Sequence, residues 1–257
     1  MTEQTGQNEG VDPAEIERRY GRLVPEEGSV DHRVVNRQIH YAMYSVFATA
    51  FPLPADEGER ARLVAEAEEA VAGTGVVVRG WYDVGGLRAD ADLLVWWHAD
   101  SIEAVQGAYH ALRATTLGAA LEPVWSNVGL HRPAEFNKRH LPGFLMDPAP
   151  RKYAAVYPFV RSFGWYVMDP AERNRILRDH GQAARDYPDV LASTISAFAL
   201  GDYEFLLALE ADTLHRLLDL MREFRATEAR LHIREDVPFF TGPLVTLGEW
   251  AGRQPLA

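Results

Sequence analysis

Three side chains in the second half of this chain bring together a phenol, a guanidinium and an imidazole: Tyr157, Arg161 and His180. Tyr157 stands in the run Tyr-Ala-Ala-Val-Tyr-Pro-Phe-Val-Arg. There, period-two alternation puts Tyr153, Ala155, Tyr157, Phe159 and Arg161 on one strand face. The phenol is either an ordinary strand aromatic or a functional group. Pro158 cannot donate a ladder hydrogen bond and is unusual inside a strand, which favours the second reading. An arginine on an inward face calls for an anionic partner. His180 falls near the middle of a predicted helix, Arg173–Tyr187, with Ile176, Leu177, Ala183 and Ala184 at helical spacing. An imidazole so placed is a satisfied core histidine or an axial ligand to haem iron, and spacing alone favours the former.

The elements that position these groups occur twice. Tyr41, Ala42, Phe47 and Phe51 recur as Tyr153, Ala154, Phe159 and Phe163, an offset of 153 − 41 = 112 positions. The same offset carries Leu94, Ala99, Asp100 and Ser101 onto Leu206, Ala211, Asp212 and Thr213. A constant register across several elements argues for a duplicated module. The duplication is also an internal control, because Ser45 stands opposite Tyr157, Thr49 opposite Arg161, Glu68 opposite His180 and His110 opposite Arg222. Reactive groups confined to one copy point to function there.

Each copy reads β-α-β-β-α-β, a ferredoxin-like unit. In the first, strands at Ile39–Ala50, Val76–Asp83, Asp92–His98 and Leu121–Leu130 alternate with helices at Glu57–Ala72, stopped by Gly73, and from Ser101 to about Arg113. In the second, strands at Tyr153–Phe163, Leu191–Ala199, Tyr203–Glu210 and Val237–Leu247 enclose helices from Pro170 to about Tyr187 and from a Thr213 cap to about Thr227. The expected fold class is α+β, a tandem duplication of ferredoxin-like units with antiparallel sheets that pack together and helices outside, akin to a dimeric α/β barrel. A pocket between sheet and helices suits a flat apolar ligand. The expected division is an arm over 1–36, with a short helix after Asp12, a first unit over 37–132, a connector over 133–150 and a second unit over 151–257. The connector is long and holds Lys138, Arg139 and His140, which marks it as a candidate wall or lid.

Composition narrows the field. With 47% apolar residues the 257-residue chain can bury a sizeable core. It has no cysteine, which excludes thiolate metal sites, iron–sulfur ligation and a cysteine nucleophile. The formal charge of −11 argues against nonspecific nucleic-acid binding and makes basic clusters conspicuous: Lys138-Arg139, Arg151-Lys152, and Arg222, Arg225 and Arg230. A polar N-terminus without a secretory layout, and no apolar run long enough to span a bilayer, point to a cytoplasmic protein.

Several stretches occur together and in order: GLRADADLLVWW (Gly86–Trp97), KRHLPGF (Lys138–Phe144), YPFVRSFGWY (Tyr157–Tyr166), RDHG (Arg178–Gly181) and AFALGDYEFLLALEADTL (Ala197–Leu214). With them the chain, from about Arg37 to Trp250, resembles the chlorite dismutase-like haem proteins, and more narrowly the coproheme decarboxylases of the actinobacterial type. The resemblance implies a homopentamer that converts iron-coproporphyrin III (coproheme), at once substrate and redox centre, into haem b. Hydrogen peroxide drives two oxidative decarboxylations of propionates to vinyls, through a monovinyl tripropionate intermediate and a tyrosyl radical. It implies His180 as proximal iron ligand, Tyr157 as the redox-active phenol and His140 as distal base. Arg139, Arg222 and Thr227 would bind porphyrin carboxylates, Arg161 would lie near Tyr157 and those carboxylates, and Trp165 would be an off-path radical site. A transient contact with a coproporphyrin ferrochelatase belongs to the same expectation. The family's chlorite-degrading members carry a distal arginine in the strand that here reads Leu191-Ala192-Ser193-Thr194-Ile195-Ser196, so chlorite chemistry is disfavoured. A haem peroxidase, a non-catalytic haem carrier and a cofactor-free structural duplication are the competing readings.

Overall fold

Strand pairing joins the two predicted units into one ring. The computed structural model describes residues 12–26, 28–133 and 138–257; the start of the predicted arm and residues 134–137 of the connector lie outside the described residues. The first unit comprises β1 (Tyr41–Thr49), α3 (Glu57–Ala72), β2 (Val77–Asp83), β3 (Leu93–Ala99), α4 (Ile102–Ala114), a short α5 (Thr116–Ala119) and β4 (Leu121–Leu130). It follows α1 (Pro13–Tyr20) and α2 (His32–Val35). After α6 (Gly143–Met146) come β5 (Tyr153–Arg161), α7 (Pro170–Ala183), β6 (Leu191–Ser196), β7 (Phe205–Ala211), α8 (Leu214–Arg225), β8 (Ile233–Glu235), β9 (Phe240–Val245) and α9 (Leu247–Ala251). Two 3-10 turns, Trp165–Val167 and Glu228–His232, flank α7 and follow α8.

Within each unit the strand order is the same, β4-β1-β3-β2 and β6-β7-β5-β9. The edges of one unit pair with those of the other: Leu130 of β4 opposite Ser196 of β6, and Trp81 and Tyr82 of β2 opposite Val245 and Leu244 of β9. Instead of two sheets stacked face to face, the halves therefore close an antiparallel barrel, with β8 added beside the end of β5. Closure satisfies the backbone groups that open edges would expose.

Alternation then sorts side chains into layers. Ala42, Tyr44, Val46, Leu94, Trp96, Ala154, Val156, Leu206 and Ala208 fill the barrel. Met43, Phe47, Val95 and Trp97 face outward onto α3, α4 and α9. Ala155, Tyr157 and Leu209 face outward onto α8. The outer layer of the first half is one continuous cluster, whereas that of the second is divided in two, one part around β5 and α8 and the other around α7. Between the two parts of the second layer, space remains among the described residues.

One polar pair sits inside the apolar barrel. Register shifts between Val78 and Gly80, so Arg79 is an extra residue in β2, and the bulge re-aims it inward. Its guanidinium lies 4.9 Å from the Trp96 ring centroid and donates to both Glu210 oxygens, at 3.1 and 2.9 Å from Nε. Both side chains are fully buried. Arg79 also donates to the Asp147 carbonyl at 2.9 Å, and the Arg151 amide donates to Glu210 at 3.3 Å, which ties the connector to both halves.

Several predicted boundaries move for local reasons. Helix α7 ends at Ala183, short of Tyr187, because the residue before Pro188 is biased away from helical backbone. The predicted strand Val237–Leu247 shortens to β9, beginning after Pro238, which has no N–H for a ladder, and β8 precedes it as a strand that was not expected. Thr213 occupies the N-cap position of α8 without a side-chain cap bond; its hydroxyl donates to the Tyr20 carbonyl at 2.9 Å. That bond, and Arg22 to the Ala149 carbonyl at 3.1 Å, hold the described part of the arm against the chain's own second half.

At the far ends of β1, β3 and β4 three histidines meet. His40 links Asp100 (2.7 Å) to His98 (2.8 Å), and the His131 amide donates to the His40 carbonyl at 2.8 Å. His131 Nε2 contacts Asn36 Oδ1 at 2.9 Å, while Asn36 Nδ2 donates to the Lys138 carbonyl at 2.7 Å. That network places a proton on Nε2 of His131. Burial first, then the neighbouring His40 and Arg132, lowers the His131 pKa from 6.5 to about 4. A histidine with a depressed folded pKa stabilises the fold above its unfolded pKa and loses that contribution as pH falls. Chemical denaturation is expected to show about 2 kcal/mol lost through His131 between pH 6.5 and pH 5. Equal unfolding free energies at the two pH values would contradict this.

Candidate active site

The divided outer layer of the second half opens as an apolar cleft between β5, β7, α7, α8 and the turn that follows. Tyr157, Arg161, His180, Met221, Phe224, Arg225, Arg230 and Asp236 line it. Tyr157 and Arg161 reach it from one face of β5, as strand alternation requires. His180 comes from the last turn of α7, a helix started by the Asp169 side chain, which accepts from the Ala171 and Glu172 amides, with Pro170 in its first turn.

The Tyr157 ring stacks on Phe239 at 4.4 Å and 17°, and its hydroxyl donates to Met221 Sδ at 3.5 Å. Burial pushes its pKa well above that of an ordinary phenol, so the hydroxyl keeps its proton at neutral pH with only a soft sulfur as acceptor. The His180 ring stacks on Phe224 at 4.2 Å and 28°. Burial, with a smaller contribution from the Arg161 charge, lowers its pKa from 6.5 to about 4. The imidazole is therefore neutral at pH 7, the form that binds metals. Its Nδ1 meets Thr227 Oγ1 at 3.4 Å.

Cations gather at the same cleft. The Arg161 guanidinium lies over Trp165 (4.1 Å) and Phe159 (4.7 Å). Arg225 and Arg230 both hold the Asp236 carboxylate, at 2.5 and 2.7 Å. Two guanidiniums thus converge on one carboxylate of the chain itself at the rim.

The structure places the other expected residues elsewhere. Arg222 is exposed and does not line the cleft. Met221, Phe224 and Arg225 share the inward face of α8 at helical spacing, and position 222 falls off it. Arg139 and His140 are exposed on the connector, outside the cleft lining. Thr227 contacts His180 and donates to the Phe224 carbonyl at 2.8 Å. Arg225, Arg230 and Asp236 are thus the charged groups at the cleft that site reasoning from sequence passed over; a cluster containing the two arginines was visible, and Asp236 left no signal.

The first half answers as the internal control. Ser45, opposite Tyr157, is fully buried against Ser126 (2.8 Å) and the Trp97 indole N–H (3.2 Å). Tyr109, Leu112 and Leu117 occupy the counterpart of the cleft, with Phe47 stacked on Tyr109 at 5.9 Å. Helix α9 adds Leu247 and the fully buried Trp250 to the same layer.

The profile described as chlorite dismutase matches residues 60–245. A coproheme decarboxylase of Mycolicibacterium smegmatis (strain ATCC 700084 / mc(2)155) is 53% identical over 231 residues, covering 88% of this chain and 99% of that protein. The chain belongs to the chlorite dismutase family. Solved relatives share the fold. A chlorite dismutase from Candidatus Nitrospira defluvii in complex with imidazole superposes with a TM-score of 0.73 at 22% identity, covering 83% of this chain and 94% of that one. A variant of the same enzyme in complex with cyanide gives 0.71 at 22% identity, covering 82% and 93%. Family membership bears out the α+β duplication expected from the sequence. No helix among the described residues is long and apolar enough to cross a membrane.

Proposed function

We propose that this protein is a coproheme decarboxylase, converting two propionates of iron-coproporphyrin III to vinyls at the expense of hydrogen peroxide. What carries the reading is one apolar cleft lined by both the Tyr157 phenol and the His180 imidazole, with arginines around it. A carrier needs the imidazole and the arginines but not the phenol. The residues suit the group: a lone neutral imidazole fits a metal that arrives with its other ligands in place, as porphyrin iron does, and the guanidiniums fit the carboxylates. The similarity to the Mycolicibacterium smegmatis coproheme decarboxylase favours the same substrate.

The bound iron porphyrin supplies the capacity to take two electrons to peroxide per propionate. For each, a propionate, a proton and one hydrogen peroxide give a vinyl, carbon dioxide and two waters. The chain's own part is positional and protic. His180 holds the metal from one side. Arg161, Arg225 and Arg230 orient carboxylates by charge-assisted bonds. Tyr157, protonated and shielded, gives up an electron and its Oη proton together and returns as a neutral radical able to take hydrogen from the propionate β-carbon. His140 is the base for peroxide, brought in by the connector. Cytoplasmic location, a homopentamer and a transient contact with a ferrochelatase are parts of the same proposal.

Adding iron-coproporphyrin III to the purified protein should shift its absorption to that of a bound, imidazole-ligated porphyrin. Peroxide should then yield haem b in two steps at about two equivalents, as the stoichiometry above requires. Binding without conversion would leave a carrier, and no binding would remove the proposal.

A further inference from the structure

We infer that Thr227 is a positioning residue for His180, fixing the imidazole in its Nδ1–H tautomer so that Nε2 keeps the lone pair that can bind a metal. The inference rests on the reading of His180 as the iron ligand. It starts from a comparison of the chain with itself. Thr115 and Thr227 are counterparts at the 112-residue offset, as are Leu112 and Phe224, and Gly118 and Arg230. Both threonines follow the helix that precedes a short turn, and both have extended backbone, at φ −79, ψ 164 and φ −87, ψ 156. Both hydroxyls donate back to the helix, Thr115 to the Leu112 carbonyl at 2.7 Å and Thr227 to the Phe224 carbonyl at 2.8 Å. The hydroxyl proton is therefore spent in the same way in each half.

The halves differ in what uses the oxygen as acceptor. In the first, the Gly118 amide donates to Thr115 Oγ1 at 3.0 Å and completes a closed turn. In the second, the counterpart amide, Arg230, donates to the Thr227 backbone carbonyl at 3.1 Å instead. That leaves Thr227 Oγ1 open to His180 Nδ1 at 3.4 Å. With its own proton committed to Phe224, the hydroxyl can only accept from the ring, so Nδ1 must carry the hydrogen. The other ring nitrogen then has the free lone pair, the arrangement by which outer partners set the tautomer and basicity of a ligating histidine. The face-to-face contact with Phe224 fixes the ring plane. A helix-ending threonine kept in both copies has in one of them been turned to a second task. This differs from the carboxylate-binding role that the resemblance implied for Thr227.

The test is nitrogen-15 NMR of histidine-labelled, porphyrin-free protein, with the His180 resonances identified from His180→Asn. Wild type and Thr227→Ser should show Nδ1–H as the dominant tautomer. Thr227→Val should shift the ratio toward Nε2–H by about three- to tenfold, the weight of one hydrogen bond. Thr115→Val loses the equivalent bond to a helix carbonyl and should leave the His180 tautomer unchanged. Loaded with iron-coproporphyrin III and reduced, Thr227→Val should also lower the iron–imidazole stretching frequency, and Thr227→Ser should restore it. Wild-type protein with Nε2–H dominant would overturn the inference even if Thr227→Val did not fold, and so would an equal response to Thr115→Val. An iron–imidazole stretch that survives in His180→Asn would instead overturn the ligand assignment, a distinct failure.

Discussion

Tyr157→Phe is expected to bind iron-coproporphyrin III as wild type does and to lose both decarboxylations, with turnover falling by about two orders of magnitude or more. The substitution removes one oxygen from a ring held by Phe239 stacking, so cleft shape and stability should change little. Among the described residues the hydroxyl's hydrogen bond is the weak one to Met221 Sδ at 3.5 Å, and its loss leaves no strong donor or acceptor stranded. The effect should therefore fall on kcat with KM preserved, the signature of a group needed only during reaction. Product formation followed by chromatography after peroxide addition measures it. Haem b formed at the wild-type rate would remove Tyr157 from the chemistry while leaving porphyrin binding intact.

Arg79→Met is expected to destabilise the chain by about 3–5 kcal/mol, because it strands the buried Glu210 carboxylate inside the barrel. Only the Arg151 amide at 3.3 Å and the Tyr82 hydroxyl at 3.4 Å would remain to it. For a protein of this size the melting temperature should drop by about 10 °C. The double substitution Arg79→Met with Glu210→Leu removes both charges and should recover much of the loss, since desolvating an ion pair costs nearly as much as the pairing returns. Thermal unfolding of the three proteins decides the matter; a single variant that melts with wild type would show that the pair contributes nothing.

What could be read in the sequence follows from how local each cause is. Tyr157 and Arg161 share a strand face through alternation alone, and the Asp169-Pro170 start of α7 is a matter of neighbouring residues, so these were legible. The repeat offset made the two units visible because no net insertion separates their elements. Arg79 was not legible: its inward direction depends on a bulge opposite β3, which strand periodicity cannot contain. The barrel was expected from the resemblance, but the pairings that close it, β4–β6 and β2–β9, join segments far apart in the chain and were not legible from local pattern. Arg225, Arg230 and Asp236 meet across a helix end, a 3-10 turn and the residue after β8, where no period operates. Thr227 was recognised as a candidate, but its partner was set by which amide completes the turn after α8.

Helix α9 bears on stoichiometry. A chain that repeats one binding fold could in principle host two ligands, one per copy. Leu247 and Trp250 join the buried outer layer of the first copy, the Trp250 indole N–H donating to the Asp92 carbonyl at 3.1 Å, and the final residues are pinned by the Leu53 and Ala257 amides, which donate to the carbonyls of Pro255 and Leu53 at 2.8 and 2.9 Å. The carboxy-terminal segment thus fills part of the layer that the second copy leaves open, and titration with iron-coproporphyrin III is expected to saturate at one equivalent per chain.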